Sequence, residues 1–290
     1  MSDWKQPLRL VELLDKKGNI EDKGVDKLID AVQEAADLAD NLKCEAFLAF
    51  ATSAVRSAAN AEEVLERVEK KTDVRLRVLS GEEEARLTFL AARRWYGWSA
   101  GRITNLDIGG GSLELSTGTE ESPDLAVSLD LGAGRLTHQW FDTDPPERKK
   151  INMLRDFIDA ELAPAAEEFK AMGQAGLAVG TSKTFRSLAR LTGAAPSSAG
   201  PHVKRTLTAA GLRQLIAFIS RMTAADRAEL EGINADRSHQ IVAGALVAEA
   251  AMRALSLDKL EICPWALREG VILKWIDQGH APGMNEGEDD

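Results

Sequence analysis

The chain has 290 residues, 44% of them hydrophobic, enough to bury a substantial core and more than a single domain usually holds. Its 36 Lys and Arg against 46 Asp and Glu give a net charge of −10, which argues against nonspecific binding to nucleic acid or anionic membrane but leaves room for a local basic groove. No apolar run reaches the length of a membrane span and no signal peptide is legible. Two distant cysteines, Cys44 and Cys263, offer neither a disulfide framework nor a zinc site, so the expected location is the cytoplasm.

In chain order, residues 8–13 read as a strand. Residues 21–42 read as an amphipathic helix with Val25, Leu28, Ile29, Val32, Ala36 and Leu42 on one face. Residues 46–51 form a buried strand. Asn60, with Glu63 three residues on, marks a helix start, and residues 74–79 alternate as another strand. Ser80 caps a helix running from Gly81 to about Trp95, and residues 97–101 read as a hinge. The second half opens on a strand pair around a glycine run, then a strand at 125–129 leading into Gly132-Ala133-Gly134-Arg135. A helix follows over 150–170, a strand over 177–180, and a helix opening at Thr181-Ser182-Lys183-Thr184. Thr208 and Thr223 read as N-caps, the latter completing a capping box with Asp226. A fully buried small-residue helix is expected at 240–255, then a strand at 260–263 and a last helix at 266–277. The acidic tail from Ala281 to Asp290 reads as disordered. This alternation predicts two α/β domains, 1–101 and 102–280, with room for the last helix to pack back on the first.

The run from Ile103 to Ser116 carries the strongest chemical signal. An apolar strand ends in Asp107, Gly109, Gly110, Gly111 and Ser112 make a tight turn, and a second alternating strand carries Glu114 between Leu113 and Leu115. Glycine supplies φ > 0 and lets backbone N–H groups approach a ligand, so the turn is expected to hold a phosphate. Asp107 and Glu114 at its rim are placed to hold a hard cation, with Mg2+ the natural choice. A strand, not a helix, follows the glycines, which separates this hairpin from both the dinucleotide fingerprint and the P-loop. An ordinary glycine-rich β-turn is the plain alternative, and the acids on both flanking strands weigh against it.

Phosphoryl chemistry also needs a water-activating group and donors for the phosphoryl oxygens. Glu82 and Glu83 are accounted for by the positive end of a helix, Glu83 by its position three residues after Ser80. Glu84 is less so, which leaves it a candidate base. Arg56 reads as a surface arginine, although its strand-end turn also suits a bidentate phosphate donor. Lys183 sits at a helix start, where anions bind, but lacks the second glycine of a P-loop. Arg93, Arg94 and Arg102, and the pair Lys204-Arg205, read as solvated. Trp95-Tyr96-x-Trp98 reads as hinge packing rather than a stacking platform. The four histidines form no metal-spaced cluster, and no G-x-S-x-G is present.

Taken together, the chain resembles the exopolyphosphatase/guanosine pentaphosphate phosphatase family over nearly all of residues 8–279, in its short two-domain actinobacterial form. The resemblance rests on five blocks in order: residues 51–56 with Asn60, residues 80–86, residues 107–114, Arg237 seven residues before Gly244, and Leu267-Arg268-Glu269-Gly270. It implies an α/β fold of two ribonuclease-H-like domains around a cleft, as in the actin/sugar-kinase/Hsp70 superfamily. It implies that Glu84 activates the attacking water and that Asp107 and Glu114 bind Mg2+ or another divalent cation. Arg56, Gly109, Gly110, Gly111 and Ser112 would hold the terminal phosphate, with Arg237 on it or on the next. The implied substrate is inorganic polyphosphate or guanosine pentaphosphate (pppGpp), and a homodimer fits the family.

Two departures stand out. The family's N-terminal hairpin with Asp-x-Gly-Ser-Asn is not in this sequence, so the first domain is expected to be truncated, with an exposed sheet edge and a single phosphate loop. A catalytically impaired polyphosphate- or nucleotide-binding regulator is the alternative this raises; an ATP-dependent kinase on the same fold is more remote. Gly180-Thr181-Ser182-Lys183 also stands where the family has paired glycines before Thr.

Overall fold

The computed structural model describes Trp4, residues 6–15 and residues 17–279; the expected acidic tail lies outside them. The chain divides into two compact units: the residues up to Ser80 together with those from Arg268 onward, and Gly81–Leu267. The division at Ser80 differs from the boundary expected at residue 101. The reason is that the helix beginning at Gly81 packs on the sheet that follows it in sequence, not on the strands before it.

In the first unit, residues 8–13 do not form a strand. Arg9 takes a left-handed conformation and Leu10–Leu13 close a 3-10 turn, which buries Leu10 in the small core. Helix α1 (Asp22–Asn41) follows, then strand β1 (Phe50–Ala51), the short α2 (Ser53–Arg56), α3 (Ala61–Thr72) and strand β2 (Arg77–Val78). The runs 46–51 and 74–79 have strand composition, but β1 and β2 pair only with each other, in parallel, and regular pairing covers two residues of each. A strand is sustained by its neighbours, so composition alone does not extend it. Ile20, Val25, Val64 and Val68 form the unit's fully buried centre. Asn60 precedes α3 as expected but makes no side-chain cap. Its amide instead accepts from the Ile20 N–H (2.8 Å) and donates to the Ile20 carbonyl (3.0 Å), tying the helix start to a distant turn.

The second unit opens with α4 (Gly81–Tyr96), then strands β3 (Ile103–Ile108), β4 (Leu113–Gly118) and β5 (Leu125–Leu129). Helices α5 (Ala133–Trp140) and α6 (Arg148–Ala171), strand β6 (Leu177–Gly180) and helix α7 (Lys183–Leu191) follow. Then come β7 (Thr206–Thr208), α8 (Ala209–Ile219), α9 (Ala224–Ala228), α10 (Ile241–Ala254) and β8 (Lys259–Ile262); α11 (Leu267–Asp277) ends the described chain. The six strands form one sheet in the order β5-β4-β3-β6-β8-β7. β3 and β4 form the expected antiparallel hairpin, β4 pairs antiparallel with β5, and β3, β6 and β8 are parallel. The first five strands have the order of a ribonuclease-H-like sheet.

Side-chain alternation divides β3 between two layers. Leu106 and Ile108 join the large core built with α5, α6, α7, α8 and α10. Ile103 packs with Phe89 and Ala92 of α4, beside Val179 and Cys263. The small-residue helix α10 is buried from Ile241 through Met252, as its all-round apolar sequence predicts. Gly244 lets it come close: a Cβ there would lie 2.7 Å from Thr184 Cγ2 and 3.2 Å from Ala133 Cβ. Ser182, Thr208 and Thr223 cap their helices as the sequence indicates.

Arg93, expected in solvent, is fully buried. Its guanidinium donates to the carbonyls of Gly97 (3.1 Å), Gly101 (2.7 Å) and Gly118 (2.9 Å), which closes the turn between α4 and β3. Arg94 is paired with Glu121, and Arg102 with Asp124 at 2.6 Å.

Candidate active site

Asp107 and Glu114 are cross-strand partners in the β3–β4 register, so both side chains project from the same face of the hairpin. That face is the one α4 covers, and Glu84 sits in the first turn of α4. Glu84 and Glu114 are buried, and Asp107 is partly exposed. Glu114 thus lies within the field of both other carboxylates. Burial pushes the Glu114 carboxyl up to about 8, and the charges of Asp107 and Glu84 add to this; hydrogen bonds from Ser112 and Ser128 oppose it. The Ser128 hydroxyl donates to Glu114 Oε1 at 2.9 Å. Asp107 is pushed up to about 6 by burial, against the hydrogen bond from Thr181 and the charges of Arg186 and Arg237.

The glycine turn works differently from the sequence-based expectation. None of Gly109, Gly110 or Gly111 has positive φ; the left-handed glycines lie elsewhere. The Gly109 carbonyl accepts from Ala133 N–H (3.0 Å) and the Gly110 carbonyl from Arg135 N–H (2.9 Å). The Gly111 carbonyl accepts from Arg135 Nε (2.8 Å). The start of α5 therefore takes up all three carbonyls, and the N–H groups of Gly110, Gly111 and Ser112 make none of these bonds. A Cβ on Gly110 would meet nothing within 4 Å, so the turn is open on that side. Gly132 makes the close approach possible, because a Cβ there would fall 2.2 Å from the Gly111 carbonyl carbon. The sequence showed Gly132 and Gly134 without a role; contact with a turn twenty residues earlier has no local signal.

The neighbouring parallel strand completes the site. Beyond Gly180, the Thr181 N–H donates to the Leu106 carbonyl (3.1 Å), and its hydroxyl donates to Asp107 Oδ2 (2.6 Å). Here the departure from paired glycines gives Asp107 a fixed donor. Lys183 is exposed. One turn further, Arg186 donates to the Thr181 carbonyl (3.1 Å) and bears on Asp107, while its Nε is buried with no hydrogen-bond partner in the structure. Arg237, in the 3-10 turn Ala235–Gln240 before α10, bears on the same carboxylate and is itself lowered by burial, with Arg186 adding to that. Sequence reasoning missed Thr181 and Arg186. The helix-start signal at residues 181–184 pointed to the right turn but to Lys183 instead of the residue one turn inward. Behind the carboxylates, Asn105 and Ser116 form the next same-face pair, both buried and without protein partners. The floor of the site is therefore polar.

The ends of β3 and β6 thus gather three carboxylates, two guanidinium groups and an open turn of backbone amides at the carboxyl edge of parallel strands, where α/β sheets place ligands. Among the described residues no three His, Cys, Asp or Glu side chains form a metal cage. Mg2+ does not require one, since it binds through one or two carboxylates, waters and substrate phosphate. Asp107 and Glu114 fit that donor set. Arg56 lies in the first unit, where its guanidinium donates to the Leu79 carbonyl at 2.6 Å. No described helix is long and apolar enough to cross a membrane.

The chain is 65% identical over 277 residues to "Exopolyphosphatase 1" of Mycobacterium tuberculosis H37Rv, covering 96% of this chain and 80% of that protein. It is 62% identical to "Exopolyphosphatase 1" of Mycobacterium leprae over 96% and 82% of the two chains. The crystal structure of the Aquifex aeolicus Ppx/GppA family member superposes with a TM-score of 0.74 at 26% identity, covering 94% of this chain and 87% of that one. An exopolyphosphatase from Cytophaga hutchinsonii shares the fold, with a TM-score of 0.81 at 22% identity over 90% and 85% of the chains. The model of the Ppx/GppA phosphatase family matches residues 1–279, and the chain belongs to that family.

Proposed function

We propose that the protein is an exopolyphosphatase, releasing orthophosphate from the end of inorganic polyphosphate. The observation that carries this reading is the cross-strand Asp107–Glu114 pair, with Glu84 bearing on Glu114, beside an open glycine turn. The mycobacterial relatives named exopolyphosphatase support the choice of substrate.

In this reading the terminal phosphoryl group lies on the N–H groups of Gly110, Gly111 and Ser112, with Arg237 and Arg186 supplying charged donors. Arg56 is assigned to phosphate by the family resemblance. Glu84 accepts a proton from water as the water oxygen bonds to phosphorus. The bond from phosphorus to the bridging oxygen breaks, leaving orthophosphate and a chain one unit shorter. Asp107 and Glu114 would hold Mg2+, which when bound supplies charge neutralisation at the phosphoryl oxygens. Thr181 fixes the orientation of Asp107, and Ser112 and Ser128 that of Glu114. Such positioned charge supplies most of the catalysis in phosphoryl transfer.

The test is phosphate release from long-chain polyphosphate and, in parallel, from pppGpp, with Mg2+ and a Glu84→Gln control. Release from polyphosphate that falls at least about 100-fold in the control is expected. Preferential release from pppGpp would reassign the substrate. Tight polyphosphate binding without turnover would make the protein a binder instead.

A further inference from the structure

The aromatic and basic residues that the catalytic site does not use come together elsewhere. The C-terminal turn of α4, the loop before β7 and the end of β8 enclose a cavity of about 470 Å³, within the range of small-molecule sites. Glu84 and Trp95 are eleven residues apart on α4, which is about 17 Å of helix rise. The cavity is therefore remote from the carboxylates.

Its wall is aromatic. Trp95 stacks on His202 with ring centres 5.1 Å apart and planes 16° from parallel, and Trp265 meets Trp95 edge-on at 5.3 Å. Tyr96 adds a third aromatic side chain. Trp95, Tyr96 and Trp265 rest on the small core around Phe89 and Ile103 and stay partly open to solvent, and His202 is exposed. The charged lining is three cations, Arg94, Lys204 and Arg205, and one acid, Glu261. Arg94 is paired with Glu121 and Lys204 with Glu261, while Arg205 has no carboxylate partner. Its guanidinium donates to the carbonyls of Ala195 (2.9 Å), Pro196 (2.6 Å), Gly200 (3.0 Å) and Val203 (2.9 Å). These four bonds hold the loop in shape and fix the Arg205 guanidinium at the cavity, so that cations outnumber acids in its lining, on a chain whose net charge is −10. The cavity is thus preformed, which lowers the ordering cost of binding.

Ring surface beside fixed positive charge selects a ligand that is both planar and anionic. Bases stack on aromatic side chains, and phosphates pair with Arg and Lys. We infer that this cavity binds a nucleoside phosphate, as a second site separate from the glycine turn. The inference does not depend on the reaction proposed above.

The experiment is titration of the purified protein with ADP, read by tryptophan fluorescence and calorimetry, with pyrophosphate as a ring-free competitor. His202→Ala and Lys204→Glu alter exposed side chains and leave the core intact; Trp95→Leu removes the indole. Saturable binding is expected, unchanged in Asp107→Asn and weakened about tenfold or more by each cavity variant. Pyrophosphate should compete poorly. Three results would overturn the inference: no saturation by about 1 mM ADP, equal competition by pyrophosphate, or loss of binding in Asp107→Asn with the His202 and Lys204 variants unaffected.

Discussion

Two single-methyl additions on either side of the phosphate turn should have opposite signatures. In Gly132→Ala the new Cβ would lie 2.2 Å from the Gly111 carbonyl carbon, 2.3 Å from Ser112 N and 2.4 Å from Gly111 N. All three are backbone atoms with no flexible end to swing away, so the turn or α5 must shift. Overpacking of this kind costs about 1–3 kcal/mol, and a backbone clash belongs at the upper end. For a chain of this size that corresponds to a fall in Tm of roughly 2–5 °C. In Gly110→Ala the Cβ meets nothing within 4 Å and φ is not left-handed, so the fold should tolerate it within about 0.5 kcal/mol. The methyl then occupies the space proposed for the phosphoryl group. Displacing the substrate by about 1 Å should lower kcat/KM on the order of 100-fold. Differential scanning calorimetry and phosphate release on the same preparations separate the two effects. A Gly110→Ala enzyme with wild-type kcat/KM would refute the placement of phosphate on the turn. A Gly132→Ala protein with unchanged Tm would refute the close packing of α5 on it.

The pH dependence of stability follows from Glu114. Its carboxyl titrates near 8 in the folded protein against 4.5 ordinarily, so between these values the unfolded chain binds fewer protons and stability falls as pH rises. Urea unfolding of the Mg2+-free protein should lose on the order of a few kcal/mol from about pH 4.5 to 8, and Glu114→Gln should flatten that slope; equal slopes would contradict the assigned environment. Thr181→Val keeps the shape but removes the 2.6 Å donor to Asp107. The Mg2+ concentration for half-maximal phosphate release should rise about tenfold, since a hydrogen bond to a charged group contributes about 1.5–3 kcal/mol. Arg186→Ala should lower kcat/KM by roughly 10–100-fold, with partial recovery in Arg186→Lys; a wild-type rate in the alanine variant would remove Arg186 from the site.

The candidate site was legible wherever chemistry is local in the chain. Asp107 and Glu114 flank one turn, and strand alternation alone puts them on one face. Glu84 was one of three acids in a helical first turn; capping left it over and the family resemblance assigned it, and the packing of α4 on β3 and β4 sets it near Glu114. Thr181 and Arg186 were not singled out because their relation to Asp107 runs through the pairing of β3 with β6, more than seventy residues apart. Arg93 and Arg94 are adjacent in sequence, yet one is fully buried on three carbonyls and the other makes an ion pair. No periodicity separates them, because the difference lies in which turn closes over each.

Local sequence was enough for the α/β class, the hairpin, most helix boundaries and the candidate acids, because periodicity, caps and glycine runs act over a few residues. It misjudged residues 8–13 and the extent of β1 and β2, since a strand needs a partner and partners are not encoded locally. Tertiary packing showed that Gly132 is required for the close approach of α5 to the turn, and that none of Gly109, Gly110 and Gly111 has positive φ. It also decided which arginines face Asp107, and it brought Trp95 and Arg205, one read as packing and the other as solvated, to a single cavity. Each of these depends on distances between segments remote in the chain, which are set by the free energy of packing the whole fold.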